Sequence, residues 1–395
     1  MHWNRLSLTG CVLSIFFIVI FAGCNWSKTY GGAGYEGLFS VQQTTDGGYI
    51  AAGSIIPFWA DYSYFYLIKT NALGIRQWTR TLGGARNDEA RSVQQTADGG
   101  YIGAGSTSSY GAGSYDFYLV KTSALGVRQW DKTFGGANSD KAYSVQQTTD
   151  GGYIVAGYTK SYGAGNFDFY LVKTDASGNM LWDKTFGGID VEVAFSVRQT
   201  TDGGYIVAGR TESYGAGDSD IYLIKTDASG SMLWDKTFGD GGGDWASSVQ
   251  QTTDGGYIVA GTIDIGWMSA QAWLIKTDAC GNMLWDKTFS HNIADEARSV
   301  QQTRDGGYIL AASTWEIATP LPDIWLIKTD ARGNMRWDKI FGDFHYGHEI
   351  AYSVQQTMDG GFILAGEYFH YDHYEKMADA WLIKTDWLGN APPSP

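Results

Sequence analysis

One five-residue string most constrains how this 395-residue chain can fold. Asp-Gly-Gly-Tyr-Ile recurs along the chain at intervals of 51 to 54 residues, with Phe replacing Tyr in the last copy. A fixed period of this length is typical of repeat architectures, in which each unit buries its faces against the next one. The seven copies begin at Asp46, Asp98, Asp150, Asp202, Asp254, Asp305 and Asp359.

Each repeat has the pattern of four short strands separated by turns. The third copy predicts strands a, b, c and d over 144–148, 153–159, 169–174 and 180–186. Glycine supplies the positive φ and aspartate the cap that a hairpin turn needs, so Asp150-Gly151-Gly152 joins strands a and b. No segment has a helical period long enough to compete. The repeats therefore predict an all-β fold, a single seven-bladed β-propeller of four-stranded antiparallel blades.

The two ends of the sequence complement each other. Residues 26–32 have the pattern of a lone strand d, whereas the last copy stops at 387–390 without a strand d of its own. We therefore expect the N-terminal strand to complete the last blade and close the ring. The predicted domains are a signal peptide over 1–23, the propeller over 24–390 and a short tail over 391–395.

Two stretches of the repeat resemble known propeller families. The DGGYIVAG core is similar to the seven-bladed propeller repeats of exported prokaryotic proteins, most of which have no known function. The segment KTDASGNMLW at 173–182 resembles the tryptophan-docking segment of pyrroloquinoline-quinone-type propellers. Together the resemblances cover almost all of 26–390. They imply the fold and say little about function, because one fold supports many activities.

The first 24 residues have the features of an export signal. A single cation, Arg5, precedes an apolar run over 12–21. The run ends in Phe21-Ala22-Gly23-Cys24, which resembles the lipobox of prokaryotic lipoproteins, although Leu is usual in place of Phe. The resemblance implies that Cys24 is lipidated. The alternatives are an uncleaved membrane anchor and an ordinary signal peptide, and all three place the rest of the chain outside the cytoplasm.

The cysteine count argues against a disulfide-stabilised fold, and the net charge argues against a nucleic-acid-binding protein. After removal of the signal, only Cys24 and Cys280 remain, and with Cys24 carrying lipid no intrachain disulfide can form. The formal net charge of −14 argues against nucleic acid as a partner, since phosphate binding needs a basic face.

Several residue types recur at fixed positions, and we interpret most of them as structural. The strand d tryptophans predict packing between blades. The glutamine pairs of strand a are expected to satisfy backbone groups between blades or to line a polar channel. The acid four residues before each strand a serine caps the preceding loop or helps hold a cation. The lysines of strand c predict surface pairs with aspartate or, alternatively, a polyanion site.

The repeats lose their regularity in one group of loops. The loop between strands b and c is Ser-Tyr-Gly-Ala-Gly in copies 2 to 4 but differs in copies 5, 6, 7 and 1, which are neighbours in a closed ring. We interpret this aromatic-rich arc as a ligand patch, with repeat decay as the alternative. The predicted ligand-binding residues are Trp59, Trp267, Trp315 and Tyr371.

The histidines cluster in the same region. There are two His-x-x-His pairs. His345 and His348 lie in the d–a loop that leads into the last blade, and His370 and His373 lie in the b–c loop of that blade. Neutral imidazoles bind zinc, nickel or copper, so we predict a divalent metal site there, with plain surface histidines as the alternative. No other cofactor is predicted.

Taken together, these patterns favour an exported, membrane-tethered propeller that acts as a surface binding or scaffold module. A glycan or protein ligand is expected on the face bearing the b–c and d–a loops, and the protein is expected to be a monomer. The alternatives are a purely structural surface protein and a propeller enzyme. That enzyme would be a quinone-dependent oxidoreductase or a polysaccharide hydrolase using Glu316 and Glu375.

Overall fold

The structure is a computed structural model that describes residues 25–32, 34–266, 269–315, 321–342, 348–372 and 375–393, with side chains for all of these except 370–372, 375 and 376. The regular structure within these ranges is entirely β-strand. No helix in this part of the chain could span a membrane. The strands are β1 (Trp26–Tyr30), β2 (Gly34–Gln43), β3 (Tyr49–Pro57), β4 (Tyr64–Thr70), β5 (Arg76–Leu82), β6 (Asp88–Gln95), β7 (Tyr101–Thr107), β8 (Asp116–Thr122), β9 (Arg128–Phe134), β10 (Asp140–Gln147), β11 (Tyr153–Thr159), β12 (Asp168–Thr174), β13 (Met180–Phe186), β14 (Glu192–Gln199), β15 (Tyr205–Thr211), β16 (Asp220–Thr226), β17 (Met232–Phe238), β18 (Trp245–Gln251), β19 (Tyr257–Asp264), β20 (Ala270–Thr277), β21 (Met283–Phe289), β22 (Ala294–Gln302), β23 (Tyr308–Trp315), β24 (Pro322–Thr329), β25 (Met335–Phe341), β26 (Glu349–Gln356), β27 (Phe362–Asp372) and β28 (Glu375–Thr385).

Consecutive strands form repeated four-stranded antiparallel blades. The sets β6–β9, β10–β13 and β14–β17 are separate sheets in which each strand pairs with the next one along the chain. The sets β2–β5, β18–β21 and β22–β25 have the same order. At the C-terminal end, β26, β27 and β28 pair in order, and β1 pairs antiparallel with β28 from Trp26–Lys384 to Tyr30–Ala380.

The predicted strands b and d of the third copy match β11 and β13, and strand c begins one residue early. Strand a is longer than predicted, because β10 begins at Asp140 rather than at Ser144. A β-bulge shifts the β10–β11 register between Ala142 and Ser144. The extra residue breaks the alternation of inward and outward side chains by which a strand is recognised in sequence.

The turn after strand a forms as its residues predict. Gly151 has φ 83°, and its N–H donates to the Thr148 carbonyl at 2.9 Å. Asp150 Oδ1 accepts from the Gly152 N–H at 3.0 Å and from the Thr148 hydroxyl at 2.5 Å. The aspartate thereby satisfies donors that the chain reversal would otherwise leave without partners.

The hydrophobic core lies between neighbouring blades. Ile154 and Phe169 of one blade pack against Ala194, Val197 and Tyr205 of the next, and all five are buried. Strands β11 and β12 are therefore buried on both faces, whereas β13 is largely exposed. Buried apolar area between sheets stabilises the fold by about 25 cal/mol per Å².

The last blade differs from its sequence interpretation. The b–c loop of the seventh copy, residues 368–375, was expected to be irregular. Instead, β27 and β28 form a long hairpin in which Asp372 pairs with Glu375. His370 and Tyr371 therefore lie on a strand. Tyr368 and Phe369, which precede them, belong to the aromatic residues that are enriched in strands, and this fits the longer hairpin.

Candidate binding site inside the ring of first strands

The first strands of the blades, β2, β6, β10, β14, β18, β22 and β26, surround a partly open cavity of about 250 Å³, here called the inner cavity. Serine, valine and glutamine side chains line it, together with Arg198. Each serine hydroxyl accepts a hydrogen bond of 3.2–3.3 Å from a valine N–H of a neighbouring first strand. The pairs are Ser353–Val41, Ser40–Val93, Ser92–Val145, Ser144–Val197, Ser196–Val249, Ser248–Val300 and Ser299–Val354.

A second pocket of about 220 Å³, here called the mouth pocket, adjoins the serine end of the inner cavity. Its walls are the residues that occupy the β-bulge in each first strand, together with Trp245. Bulges re-aim side chains, so one residue of each blade is directed at a common pocket. This bulge ring consists of Phe39, Arg91, Tyr143, Phe195, Ser247, Arg298 and Tyr352.

The side chains of the bulge ring contact one another edge to face. Phe39 lies 4.9 Å from Tyr352, and Tyr143 lies 5.2 Å from Phe195, both as ring-centroid distances. The Arg91 guanidinium is 4.2 Å from the centre of the Phe39 ring. Such contacts hold the half-buried rings in place at the wall of the pocket.

Each arginine of the bulge ring forms an ion pair with a glutamate two residues earlier in the chain. Arg91 pairs with Glu89 at 2.8 Å, and Arg298 pairs with Glu296. Burial raises the pKa of Glu89, but the charges of Arg91 and Lys141 outweigh burial and hold that pKa below its ordinary value. The arginines are thereby fixed in position beside the aromatic rings.

A third carboxyl near the pocket has the opposite shift. Burial raises the pKa of Glu367 to about 7, although Arg91, Arg298 and a hydrogen bond with Tyr352 oppose the rise. Near neutral pH this group is therefore divided between its charged and neutral forms. Protonation makes the mouth pocket more positive.

The residues of the predicted ligand patch are only partly within the described chain. Trp59 is 76 % exposed, with its ring 6.2 Å from Tyr64. Trp315 ends β23 and is half-buried, with Pro322 as its strand partner. Tyr371 lies in β27 opposite Lys376, with its side chain outside the described atoms, and Trp267 lies outside the described residues. The ligand patch stays a prediction.

The predicted metal ligands are placed in part. The His348 ring stacks on Phe369 at 4.3 Å, and the Phe369 N–H donates to the His348 carbonyl, which brings this segment next to His370. The side chain of His370 is not described, and His345 and His373 lie outside the described residues. The described side chains contain no group of three or more His, Cys, Asp or Glu suited to a metal. The metal site stays a prediction.

Other predicted site residues also lie outside the description. Cys24, the predicted lipidation site, precedes the first described residue. Glu316 lies between two described ranges. Glu375 is described only as backbone at the start of β28.

Five of the acids that precede the strand a serines act as caps within the described chain, because each accepts a hydrogen bond from the N–H four residues earlier: Asp88, Asp140, Glu192, Asp244 and Asp295. Asp140 is fully buried and accepts from the Gly136 N–H at 2.8 Å, from the Ser161 hydroxyl at 2.7 Å and from the Thr159 hydroxyl. In the next blade, Glu192 accepts from the Gly188 N–H at 2.8 Å, from the Thr211 hydroxyl at 2.7 Å and from the Ser213 backbone N–H at 3.1 Å. These bonds satisfy loop donors, which supports the capping interpretation over a cation site.

Sequence reasoning missed the bulge ring and the special position of Arg198. A signal for both was present, because the position before the strand a serine varies among Phe, Arg, Tyr and Ser, while the residue before it is Ala in six of the seven copies. Likewise, Arg198 is the one departure from glutamine at its position. Variation at one position of an otherwise regular repeat therefore gives the inner cavity and the mouth pocket different side chains from blade to blade.

Comparisons with known proteins show the fold and no more. No family model matches the chain, and no curated protein is similar to it in sequence. Among solved structures, the Pan2 WD40 domain of Neurospora crassa has a TM-score of 0.55 at 9 % identity, covering 92 % of this chain and 97 % of that one. Sqt1 from Chaetomium thermophilum has a TM-score of 0.49 at 12 % identity, covering 86 % and 82 %. The β-propeller domain of the trilobed protease from Pyrococcus furiosus has a TM-score of 0.46 at 11 % identity, covering 88 % and 96 %. The chain is thus all-β with the blades of a β-propeller.

Proposed function

We propose that this chain is an exported, membrane-tethered β-propeller of seven blades that binds a sugar unit of a glycan in the mouth pocket. The ring is supported by the serine–valine hydrogen bonds, which link each first strand to the next and also link Ser353 to Val41. The pairing of β1 with β28 supports closure by the N-terminal strand.

Export and tethering are supported by residues 1–24, whose apolar run and terminal Cys24 have the pattern of a lipoprotein signal. The direction of β1 suits such a tether. Trp26 is the strand partner of Lys384, and Lys384 pairs with Asp359 of the Asp-Gly-Gly turn. A lipid on Cys24 would therefore lie on the turn side of the ring and direct the mouth pocket away from the membrane.

The bulge ring is the observation that carries the binding proposal. The half-buried rings of Phe39, Tyr143 and Phe195 line a pocket of about 220 Å³ beside fixed hydrogen-bonding groups. A sugar has apolar C–H faces and a polar rim, so it matches aromatic faces flanked by arginine and tyrosine. The pocket volume suits one sugar unit rather than a protein segment.

A glycan array followed by calorimetry tests the proposal. The purified protein is expected to bind glycans that share one terminal sugar. Phe195→Ala should weaken that binding at least about tenfold, because it removes an aromatic face from the pocket. Trp59→Ala removes a larger ring that is exposed to solvent outside the mouth pocket and should leave the affinity unchanged.

The reverse pattern, with loss in Trp59→Ala and none in Phe195→Ala, would move the site to the predicted b–c loop patch. Failure of the unmodified protein to bind any glycan would overturn the sugar assignment. Circular dichroism and the Tm of each variant separate lost binding from lost folding.

A further inference from the structure

The inner cavity has an unusual arrangement of hydrogen-bonding groups. In six of the seven first strands, the first glutamine of the Gln-Gln pair accepts a hydrogen bond on Oε1 from a backbone N–H of the neighbouring first strand, at 2.5–2.7 Å. Only the oxygen of an amide can accept from an N–H, so this contact fixes which way each amide points. The six residues are Gln42, Gln94, Gln146, Gln250, Gln301 and Gln355.

The second glutamines of the pairs have both ends occupied. Gln147, for example, accepts from the Ala97 N–H at 2.9 Å and donates through Nε2 to the Gly151 carbonyl at 3.2 Å. The same two contacts recur in the other six blades. In contrast, the Nε2 of each first glutamine has no hydrogen-bond acceptor within the described chain. The NH₂ groups of these six residues therefore present donors to the inner cavity that they line.

The seventh position carries a cation. Arg198 replaces the first glutamine in β14, and a guanidinium has only donors. The oxygen-to-backbone contact is accordingly missing between position 198 and Gln251 among the described residues. Arg198 is half-buried, and its side chain lines the inner cavity.

Nothing in the described part of the chain neutralises this charge. No described carboxylate forms an ion pair with Arg198, and the cavity wall contains no Asp or Glu. Burial lowers the pKa of Arg198, and no charged neighbour opposes that shift. A guanidinium nevertheless stays protonated at neutral pH, so the inner cavity holds one positive charge and a circle of N–H donors.

We propose that the inner cavity is a binding site for a compact oxyanion, with Arg198 as its charged anchor and the six glutamine NH₂ groups as further donors. Sulfate and inorganic phosphate have this chemistry, with several acceptor oxygens around a single small centre. The volume of about 250 Å³ and the spread of donors around the wall suit such an anion better than a single halide. The site is separate from the mouth pocket and does not depend on the glycan proposal.

Calorimetric titration of the purified protein with sodium sulfate and sodium phosphate tests the site, at an ionic strength held constant with sodium chloride. The informative variant is Arg198→Gln, which restores the residue found in the other six blades and should therefore fold. Lys132→Gln is the matched control, because it removes one positive charge outside the inner cavity.

The unmodified protein and Lys132→Gln are expected to bind one equivalent of oxyanion with the same affinity. Arg198→Gln should bind at least about tenfold more weakly, because it loses the only charged donor. Absence of saturable binding would overturn the proposal and leave a cavity filled by water alone. Equal affinity in Arg198→Gln would exclude Arg198 as the anchor, and an equal response to chloride would overturn the oxyanion assignment.

Discussion

Single residues hold neighbouring blades together through contacts that depend on the absence of a side chain. Gly178 ends the turn between strands c and d with φ 77°, and the Trp130 ring of the preceding blade lies against it. A Cβ at this position would lie 2.6 Å from Trp130 Cζ3. Trp130 in turn contacts Tyr153 edge to face at 5.8 Å. The recurring glycine is thus required both by its backbone conformation and by the tryptophan.

We expect Gly178→Ala to destabilise the protein more than Gly151→Ala, which is its matched control. Both glycines have positive φ, which costs a non-glycine residue about 1–2 kcal/mol. A Cβ at Gly151 meets nothing within 4 Å, whereas a Cβ at Gly178 must displace Trp130, which adds about 1–3 kcal/mol. Urea unfolding measures both free energies. Equal losses would show that the tryptophan does not constrain this position.

At the scale of strands and turns, each Asp-Gly-Gly turn is fastened to strand c by an ion pair. The strand c lysine was expected on the surface, yet its side chain is only 3–7 % exposed and its Nζ lies 2.9–3.0 Å from the turn aspartate. The aspartate remains in contact with water, which limits the cost of burying the pair. Because each ammonium already has a carboxylate partner, the lysines do not form a polyanion site.

These turns set the acid limit of stability. Burial raises the pKa of Asp98, Asp150 and Asp202, but hydrogen bonds from threonine and lysine outweigh it and bring each pKa to about 2. A carboxyl with a lowered pKa stabilises the fold above its unfolded pKa of about 3.9 and loses this contribution as pH falls toward 2. Stability should therefore fall steeply between pH 4 and pH 2.

A buried carboxyl at the N-terminal end acts in the opposite sense. Burial and the nearby Asp379 raise the pKa of Glu36 to about 7, and Glu36 is only 2 % exposed. The folded state therefore binds more protons than the unfolded state between about pH 4.5 and 7, and stability declines as pH rises through this window. Together with the turn aspartates, this places the stability maximum near pH 4–5.

Glu36→Gln checks that prediction. The neutral amide should raise stability at pH 8 by an amount on the order of 1–3 kcal/mol and make the decline between pH 4.5 and 7 less steep, with Glu367 accounting for the decline that remains. Urea unfolding from pH 2 to pH 9 gives both profiles. An unchanged slope in the variant would mean that Glu36 does not titrate with the raised pKa, while the acid limb should be the same in both proteins.

For the whole molecule, the largest consequence concerns β1. This strand is far from its partner β28 in sequence, and Trp26 and Tyr30 are buried in a cluster with Tyr49, Ile68 and Leu382. Without β1, the edge of β28 and this apolar cluster would be exposed. Unpaired edge strands of this kind promote association between copies.

Deletion of residues 25–30 should therefore lower the Tm by 10 °C or more and cause oligomers in light scattering, because it removes a strand and its core contacts. A synthetic peptide with the sequence of residues 25–32 should restore the monomer and most of the Tm when added in excess. Full stability of the truncated chain as a monomer would contradict closure by the N-terminal strand.

Much of the architecture was predictable because its causes are local or periodic. The position of each Asp-Gly-Gly turn and the bounds of strands b and d follow from turn residues within a few positions of each other. The site was less predictable. Phe39 and Tyr352 meet at 4.9 Å although more than 300 residues separate them, and the bulge that directs them inward leaves only a broken alternation in sequence.

The sequence by itself determined the repeat, its four strands and turns, and the complementary ends, because these depend on residues close together in the chain. Only the tertiary structure decided that seven bulge residues share one pocket, that the strand c lysines are buried, and that Arg198 stands in a circle of amide donors. The physical reason is that the shared pocket and the circle of donors take one residue from every blade, so the neighbours of each such residue lie about 50 residues away in the sequence. Each buried lysine pairs with an aspartate of its own repeat, but the packing that covers its side chain forms only in the folded molecule.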